Sequence, residues 1–298
     1  MQELVSAIIT THNRKNLLLG AVNSVLNQTY QNIECIVIDD ASTDGTERFL
    51  MKWINDEKIK YVYIRPEESK GGNYARNIGI LSAKGKYLAF LDDDDEWYKT
   101  KIEKQVEAME KNENTGFVFC GVEREFNLDV KKRKKDDIGN LKYKDGDLSR
   151  EVLIHIISMT STIMVRRNII MDCGLFDEKL KFWQEYELCI RILQVTNAVC
   201  VRENLVLYRV ISSDSNRLSN KIQGWEKAVE YIIDKHKKLF DKLSEDENNL
   251  RLVYIYIDGF NRARQAKNKK YMVKYAWRAF RNPKVRKMVI RKYLHRSR

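Results

Sequence analysis

Proline and glycine are scarce in this chain of 298 residues: two are proline, Pro66 and Pro283, and 13 are glycine. That scarcity excludes a long Pro/Gly linker, so any appended unit joins through helix or a short turn. Cysteine is sparse too. Cys35, Cys120, Cys173, Cys189 and Cys200 are odd in number and widely spaced, with no Cys-x-x-Cys or Cys/His ligand spacing. A zinc site is therefore not expected, and the five read as reduced core residues of a cytoplasmic protein. No stretch reaches the roughly 18 to 20 continuous apolar residues of a membrane span. The opening run Leu4 to Ile9 lacks a basic flank and is too short for a signal peptide. Any membrane contact is expected to be peripheral.

Acidic residues are missing from one end. Arg262 to Arg298 hold 15 Lys/Arg and no Asp/Glu; taking those 15 from the formal +12 of the chain leaves the first 261 residues at −3. The body is slightly acidic and the tail carries the basicity. Within the tail Tyr271, Tyr275, Trp277, Phe280 and Tyr293 interleave with the cations, a pattern suited to an amphipathic helix lying on anionic headgroups. The alternative is a helical appendage that packs its aromatics on the body and leaves Lys/Arg in water.

With 43% hydrophobic residues the chain can build a proper core. Short apolar runs, Val5 to Thr10, Ile33 to Ile38, Ile59 to Ile64, Tyr87 to Leu91 and Phe117 to Val122, read as strands. They alternate with helix-periodic segments at Leu17 to Leu26, Thr46 to Ile54, Tyr74 to Leu81 and Ile102 to Met109. That β-α-β-α order predicts an α/β fold on a doubly wound, mostly parallel sheet. Residues 123–148, with Lys131 to Lys135 and little apolar content, read as an exposed loop. Structure resumes at Val152, with a strand-like Ser161 to Val165 and a helix-periodic Glu185 to Leu193. From about Leu218 the pattern is helical to the end.

Four consecutive carboxylates, Asp92, Asp93, Asp94 and Asp95, follow the fourth strand. Charges so placed repel one another unless a cation or hydrogen-bond donors answer them, and hard oxygen ligands suit Mg²⁺ or Mn²⁺. The alternative is an acidic turn capping a helix from Trp97 onward. Thr11-His12-Asn13 follows the first strand and Asp39-Asp40 the second, so three polar clusters converge on the sheet edge where such folds bind ligands. Gly71-Gly72 opens a helix bearing Arg76, a candidate partner for a phosphate or a base carbonyl. Glu185 opens another helix, whose dipole favours an ionised carboxylate there, while Glu187 and Arg191 are spaced to pair along it.

Taken in order, Val5 to Arg14, Ser24 to Tyr30, Ile38 to Asp44, Ala75 to Gly79, Phe90 to Asp95 and Gln184 to Leu188 resemble glycosyltransferase family 2, the inverting GT-A-fold enzymes. The resemblance covers roughly residues 4–210. It implies a GT-A domain over 1–215, built from a nucleotide-binding half (1–122) and an acceptor half (149–215), with a basic helical appendage over 216–298. It implies a nucleotide-sugar donor, most simply a UDP-sugar, and a carbohydrate or lipid-linked acceptor at the inner face of the membrane. It further implies Mn²⁺ or Mg²⁺ held by Asp94 with Asp92. By position, Thr11, Asn13, Asp39, Asp40 and Arg76 would line the nucleotide site, Asp92 and Asp93 would face ribose and donor, and Glu185 would be the general base. Two departures stand out: Glu185 replaces the usual Asp, and Ile211-Ser212 stands where many relatives carry a metal-binding His. The Gln-x-x-Arg-Trp element of processive relatives is absent, which favours addition of a single sugar. Two rival readings are a nucleic-acid-binding protein using the basic tail and another nucleotide-sugar-dependent transferase, though no nucleic-acid module accompanies the charges.

Overall fold

Runs of Ile and Val make strands that bury both faces, and in the first of them, β1 (Val5–Thr11), every residue up to Ile9 is inaccessible to water. The computed structural model describes residues 2–138, 145–211 and 222–294. From β1 the chain runs through α1 (Lys15–Leu26), β2 (Ile33–Asp40), α2 (Thr46–Asn55), β3 (Lys60–Ile64), α3 (Gly72–Ser82) and β4 (Tyr87–Asp92). Next come β5 (Glu96–Trp97), α4 (Lys101–Glu110), β6 (Thr115–Phe126) and β7 (Asp129–Lys135). They are followed by α5 (Glu151–Ile154), a 3-10 turn at Thr160–Thr162, β8 (Met164–Arg166), α6 (Arg167–Asp172), α7 (Gln184–Ile192) and β9 (Asn197–Val210). Five helices close the described chain: α8 (Ile222–Lys235), α9 (Lys237–Phe240), α10 (Glu245–Gln265), α11 (Lys269–Arg281) and α12 (Pro283–Leu294).

One sheet holds every strand among the described residues, in the order β3-β2-β1-β4-β8-β6-β9-β5, with β7 beside β6. The first four strands are mutually parallel and β6 is parallel to β9, while β8 runs antiparallel between β4 and β6. This is the mixed, mostly parallel α/β sheet that the alternation predicts. The chain builds β2 and β3 on one side of β1, then crosses to lay β4 on the other, so strand order reverses at β1. Register sets Thr11 beside Asp39 and Thr10 beside Asp92. Three polar strand ends therefore share one edge.

Two expectations fail. Residues 123–135 do not form an exposed loop: β6 continues to Phe126 and β7 returns antiparallel to it, while residues 139–144 of that stretch lie outside the described residues. The inward side of this hairpin is charged rather than apolar, since buried Glu125 accepts from Arg133 at 2.7 Å, so a hydrophobicity reading misses it. Outward lysines on β7 blunt an edge strand against further pairing. Nor does Trp97 open a helix. It pairs with Val206 of β9, and the helix begins at Lys101, so the quartet does not cap it.

The chain divides into two compact units, one of residues 1–148, 158–179 and 184–213, the other of 149–157, 180–183 and 214–298. In the helical unit Val253, Ala279, Val285 and Val289 form an apolar centre. Gly259 lets α10 approach α11 closely, because a Cβ there would lie 2.8 Å from the Tyr275 ring. Trp225, fully buried, meets the rings of Trp183 and Tyr275 edge-on at 5.3 and 5.7 Å. Tyr275 thus packs inward, as does the Lys274 ammonium on Glu226 at 2.6 Å, whereas Trp277 and Phe280 of the same basic segment are exposed. Among the described residues no helix is long and apolar enough to cross a membrane.

Lys101 is fully buried in the sheet unit, its ammonium 4.0 Å from the centroid of Trp97 and donating to Gln105 Oε1 at 2.6 Å. Burial pushes its pKa down to about 8. Between that value and the ordinary 10.5 the unfolded chain holds a proton that the folded chain does not, so this residue makes stability rise with pH across the window. Lys101→Met is expected to stabilise the protein at pH 7 by on the order of 1 kcal/mol, since Gln105 loses its donor and offsets part of the gain. Calorimetry should show that advantage shrinking from pH 8 upward, and a pH-independent advantage would exclude burial of the ammonium as its cause.

Candidate active site

The first wall of the site is made by two loops that brace each other. Asn13 and Ala41 adopt left-handed backbone, with φ of 54° and 63°. The Asn13 amide N–H donates to Ser42 Oγ at 2.8 Å, and Asn13 Oδ1 accepts from the Thr43 N–H at 2.7 Å. His12 Nδ1 meets the Asp40 carbonyl. Below them the buried Asp39 carboxylate accepts from the Ser42 N–H at 2.8 Å and from the Tyr61 hydroxyl at 2.7 Å. Burial and this carboxylate hold the Tyr61 phenol well above its usual range. Asp40 is buried as well, and its Oδ1 has no hydrogen-bond partner among the described residues. An orphaned acceptor at a ligand-binding edge is a cost that a donor on a ligand would remove.

The aspartate quartet forms the second wall, and its members alternate in burial: Asp93 and Asp95 are buried, Asp92 and Asp94 half-exposed. Arg76 donates to Asp92 at 2.6 Å. Arg14 spans the next two, at 3.3 Å from Asp93 and 3.2 Å from Asp94. The Thr11 hydroxyl donates to Asp93 at 2.8 Å. Burial and the neighbouring Asp94 nonetheless push Asp93 up to about 7, against the pull of Arg14 and Thr11. Asp95 faces inward, accepting from the Ser161 hydroxyl at 2.6 Å and the Arg209 N–H at 3.1 Å. Burial, with Asp94 and Asp92 nearby, raises its pKa well above the usual carboxylate range. Asp95 is a tether: through Ser161, which also accepts from the Asp92 N–H at 3.2 Å, it fixes the turn that presents the other three.

The α3 helix supplies Arg76 from a start eased by Gly71, at φ 94°. A Cβ on Gly72 would lie 3.2 Å from the Arg76 guanidinium. Asn77 exchanges two bonds with the backbone of Phe176, at 3.0 and 2.9 Å, and the Phe176 ring lies 5.6 Å from the Arg76 guanidinium. The α7 helix contributes Glu185, half-exposed in its first turn. Two residues on, Glu187 is fully buried against Arg191 at 2.7 Å, and Arg191 also donates to the carbonyls of Cys173 and Leu175. The Ser158 hydroxyl meets Cys189 Sγ at 3.4 Å, which ties α7 to the segment bearing Ser161.

Of the residues expected from sequence, Thr11, Asp93 and Asp94 join one hydrogen-bonded group through Arg14, Arg76 pairs with Asp92 beside it, and Asn13, Asp39 and Asp40 line the adjoining loops. Glu185 comes from a third element. Arg76 rests on Asp92 rather than standing open for a base carbonyl, and Asn13 braces a loop. Arg14, Tyr61 and Ser161 are not among the site residues expected from sequence; of the three only Arg14 carries a signal, as a cation next to the polar end of β1. Ser212 lies outside the described residues.

Asp92 and Asp94 offer two half-exposed carboxylates at the mouth of this group. No set of three His, Cys, Asp or Glu side chains converges among the described residues. Mg²⁺-like ions commonly take one or two carboxylates and complete their shell with water and substrate phosphates, so the donor set fits a divalent cation of that kind.

Known proteins resemble the chain throughout this region. The pattern of "Glycosyl transferase family 2" matches residues 6–174. An uncharacterized glycosyltransferase of Rickettsia prowazekii is 34% identical over 229 residues, which cover 75% of this chain and 69% of the relative. The Escherichia coli UDP-Glc:alpha-D-GlcNAc-diphosphoundecaprenol beta-1,3-glucosyltransferase WfaP is 47% identical over 108 residues, 36% of this chain and 42% of WfaP. Among solved structures, the mannosyltransferase PcManGT of Pyrobaculum calidifontis, in complex with GDP-Man and Mn²⁺, superposes with a TM-score of 0.59 at 16% identity, over 97% of this chain and 84% of that one. That likeness identifies the GT-A fold.

Ser161→Ala removes a donor from the buried Asp95 carboxyl and an acceptor from the Asp92 N–H. Urea unfolding is expected to show a loss of about 1–3 kcal/mol, the cost of leaving buried polar groups unpaired. An unchanged midpoint would mean that the turn is held by other contacts.

Proposed function

This chain belongs to glycosyltransferase family 2, and we propose that it is a metal-dependent inverting enzyme moving one sugar from a UDP-sugar to a hydroxyl group. The observation that carries this reading is the set of contacts at the strand-order switch beside β1, with Thr11 and Arg14 on Asp93, Arg14 on Asp94 and Arg76 on Asp92. Cationic and carboxylate groups gathered there suit a ligand that brings phosphate and metal together.

Asp39, held on the second strand by Ser42 and Tyr61, would accept from a base N–H, with Asp40 beside it for a further donor. Arg76 and Asp92 would orient the ribose side of the nucleotide, and Asp93 would hold Thr11 and Arg14 in register. Asp94, with Asp92, would hold Mn²⁺ or Mg²⁺. That ion, when bound, supplies positive charge to the departing diphosphate. Glu185 would take the proton of the acceptor hydroxyl on the face opposite the leaving group, so a single displacement inverts the anomeric carbon. Its position in the first turn of α7 favours the ionised base.

WfaP, by its name, uses UDP-Glc and a diphosphoundecaprenol-linked acceptor. We extend that chemistry to this chain: a lipid-linked or surface-polysaccharide precursor as acceptor, at the inner face of the membrane, with the basic segment 262–298 in contact with anionic lipid.

Glu185→Gln and Asp94→Asn are each expected to lower transfer from a UDP-sugar by at least about a thousandfold with circular dichroism unchanged. Turnover within a few-fold of the parent in either variant removes the corresponding assignment. UDP and Mn²⁺ together should also raise the melting temperature by more than the sum of their separate effects, since each ligand completes the site of the other. Strictly additive shifts in scanning fluorimetry would contradict the shared site.

A further inference from the structure

The α11 helix has two unlike faces. Tyr275 and Ala279 are buried, whereas Val273, Trp277 and Phe280, spaced four and three apart on the opposite side, are 68%, 58% and 52% exposed. Lys269, Lys270 and Arg281 are exposed around the same stripe, and the Arg281 guanidinium lies 5.0 Å from the Trp277 ring. Lys274 and Arg278, by contrast, are engaged with Glu226. Of the five tryptophans, Trp97, Trp183 and Trp225 are buried and Trp53 is half-buried, which makes Trp277 the exposed one. Scattered exposed apolar residues need no explanation, but an aromatic stripe ringed by cations marks an interaction surface.

We propose that this face of α11 lies on an anionic lipid surface, with Val273, Trp277 and Phe280 at the boundary between headgroups and acyl chains and Lys269, Lys270 and Arg281 on lipid phosphates. The inference rests on the membrane contact proposed above for 262–298 and assigns it to one face. Charge selects the occupant. With no acidic residue in that segment, a second copy of the chain would set cation against cation. Three apolar side chains also fall far short of the roughly 800 Å² per partner that a stable protein interface buries. A helix lying flat in a headgroup layer needs only a short apolar stripe, a tryptophan at the interface and basic flanks that reach the phosphates.

Full-length protein mixed with phosphatidylglycerol-containing vesicles should float with them, remain behind with pure phosphatidylcholine, and be released by salt. Brominated acyl chains should quench and blue-shift the Trp277 emission, and Trp277→Phe should float as well while losing most of that quenching. Substituting Val273, Trp277 and Phe280 together by Ser, all at exposed positions, should reduce the bound fraction at least about tenfold with the melting temperature unchanged. Equal flotation of the triple variant and the parent would overturn the assignment to this face while leaving tail–membrane contact standing. Absence of parent flotation on anionic vesicles would defeat both. A concentration-dependent dimer dissolved by the triple substitution would give the face to a second copy and overturn the proposal.

Discussion

Four carboxylates in sequence can sit at the end of a buried strand only if their mutual repulsion is answered, and the rest of the sheet edge is arranged around that constraint. Two unit charges 4 Å apart interact by about 4 kcal/mol at an effective dielectric near 20, so several unanswered pairs would exceed the stability of a typical domain. The answer comes from four separate stretches of chain. Arg14 arrives from the loop after β1, Arg76 from α3, and Ser161 with the Arg209 N–H from the second half of the sheet. Each lies far from the quartet in sequence, so charge neutralisation is also a tertiary constraint. The half-exposed pair, Asp92 and Asp94, receives guanidiniums, and the inward Asp95 receives neutral donors.

Topology explains why these groups meet. Strand order reverses at β1, where sheets of this kind hold ligands, and parallel register sets Thr11 beside Asp39 and Thr10 beside Asp92. The second half of the sheet is joined to this edge by a different device. Asn77 grips the backbone of Phe176, Arg191 grips the carbonyls that follow α6, and Ser161 bridges Asp92 and Asp95, so polar side chains do the joining where no strand pairing is available.

The sheet core was readable from sequence because its strands are continuous apolar runs at lengths that suit no other element, and the helices between them keep a 3.6-residue period. Asp39 and the quartet were readable for a related reason, since a carboxylate directly after a buried strand has few structural uses. Legibility ended where side chains act against type. The β6–β7 hairpin buries Glu125 against Arg133 and Arg209, a charged interior that no hydrophobic pattern announces. Arg76 and Asn13 stand where sequence expects ligand contacts but are engaged within the protein, on Asp92 and on Thr43. Ser161 had no local signal, because its value lies in a fold-level meeting with Asp92 and Asp95.

Several unfavourable features of the sheet unit meet at the strand ends beside β1: left-handed Asn13 and Ala41, the unpaired Asp40 oxygen, and the raised pKa values of Asp93 and Asp95. Others lie elsewhere in the same unit, among them left-handed Glu57, Asn127 and Leu128 and the unpaired Asn204 Oδ1. The apolar core built on the same strands is close-packed and inaccessible, with buried Lys101 the exception. Selection for stability alone would remove such costs, because a buried carboxylate or orphaned acceptor is replaced at a net gain by an apolar side chain of similar volume. An acceptor left short of a partner at that edge, as Asp40 Oδ1 is among the described residues, is one that a ligand carrying a donor can satisfy.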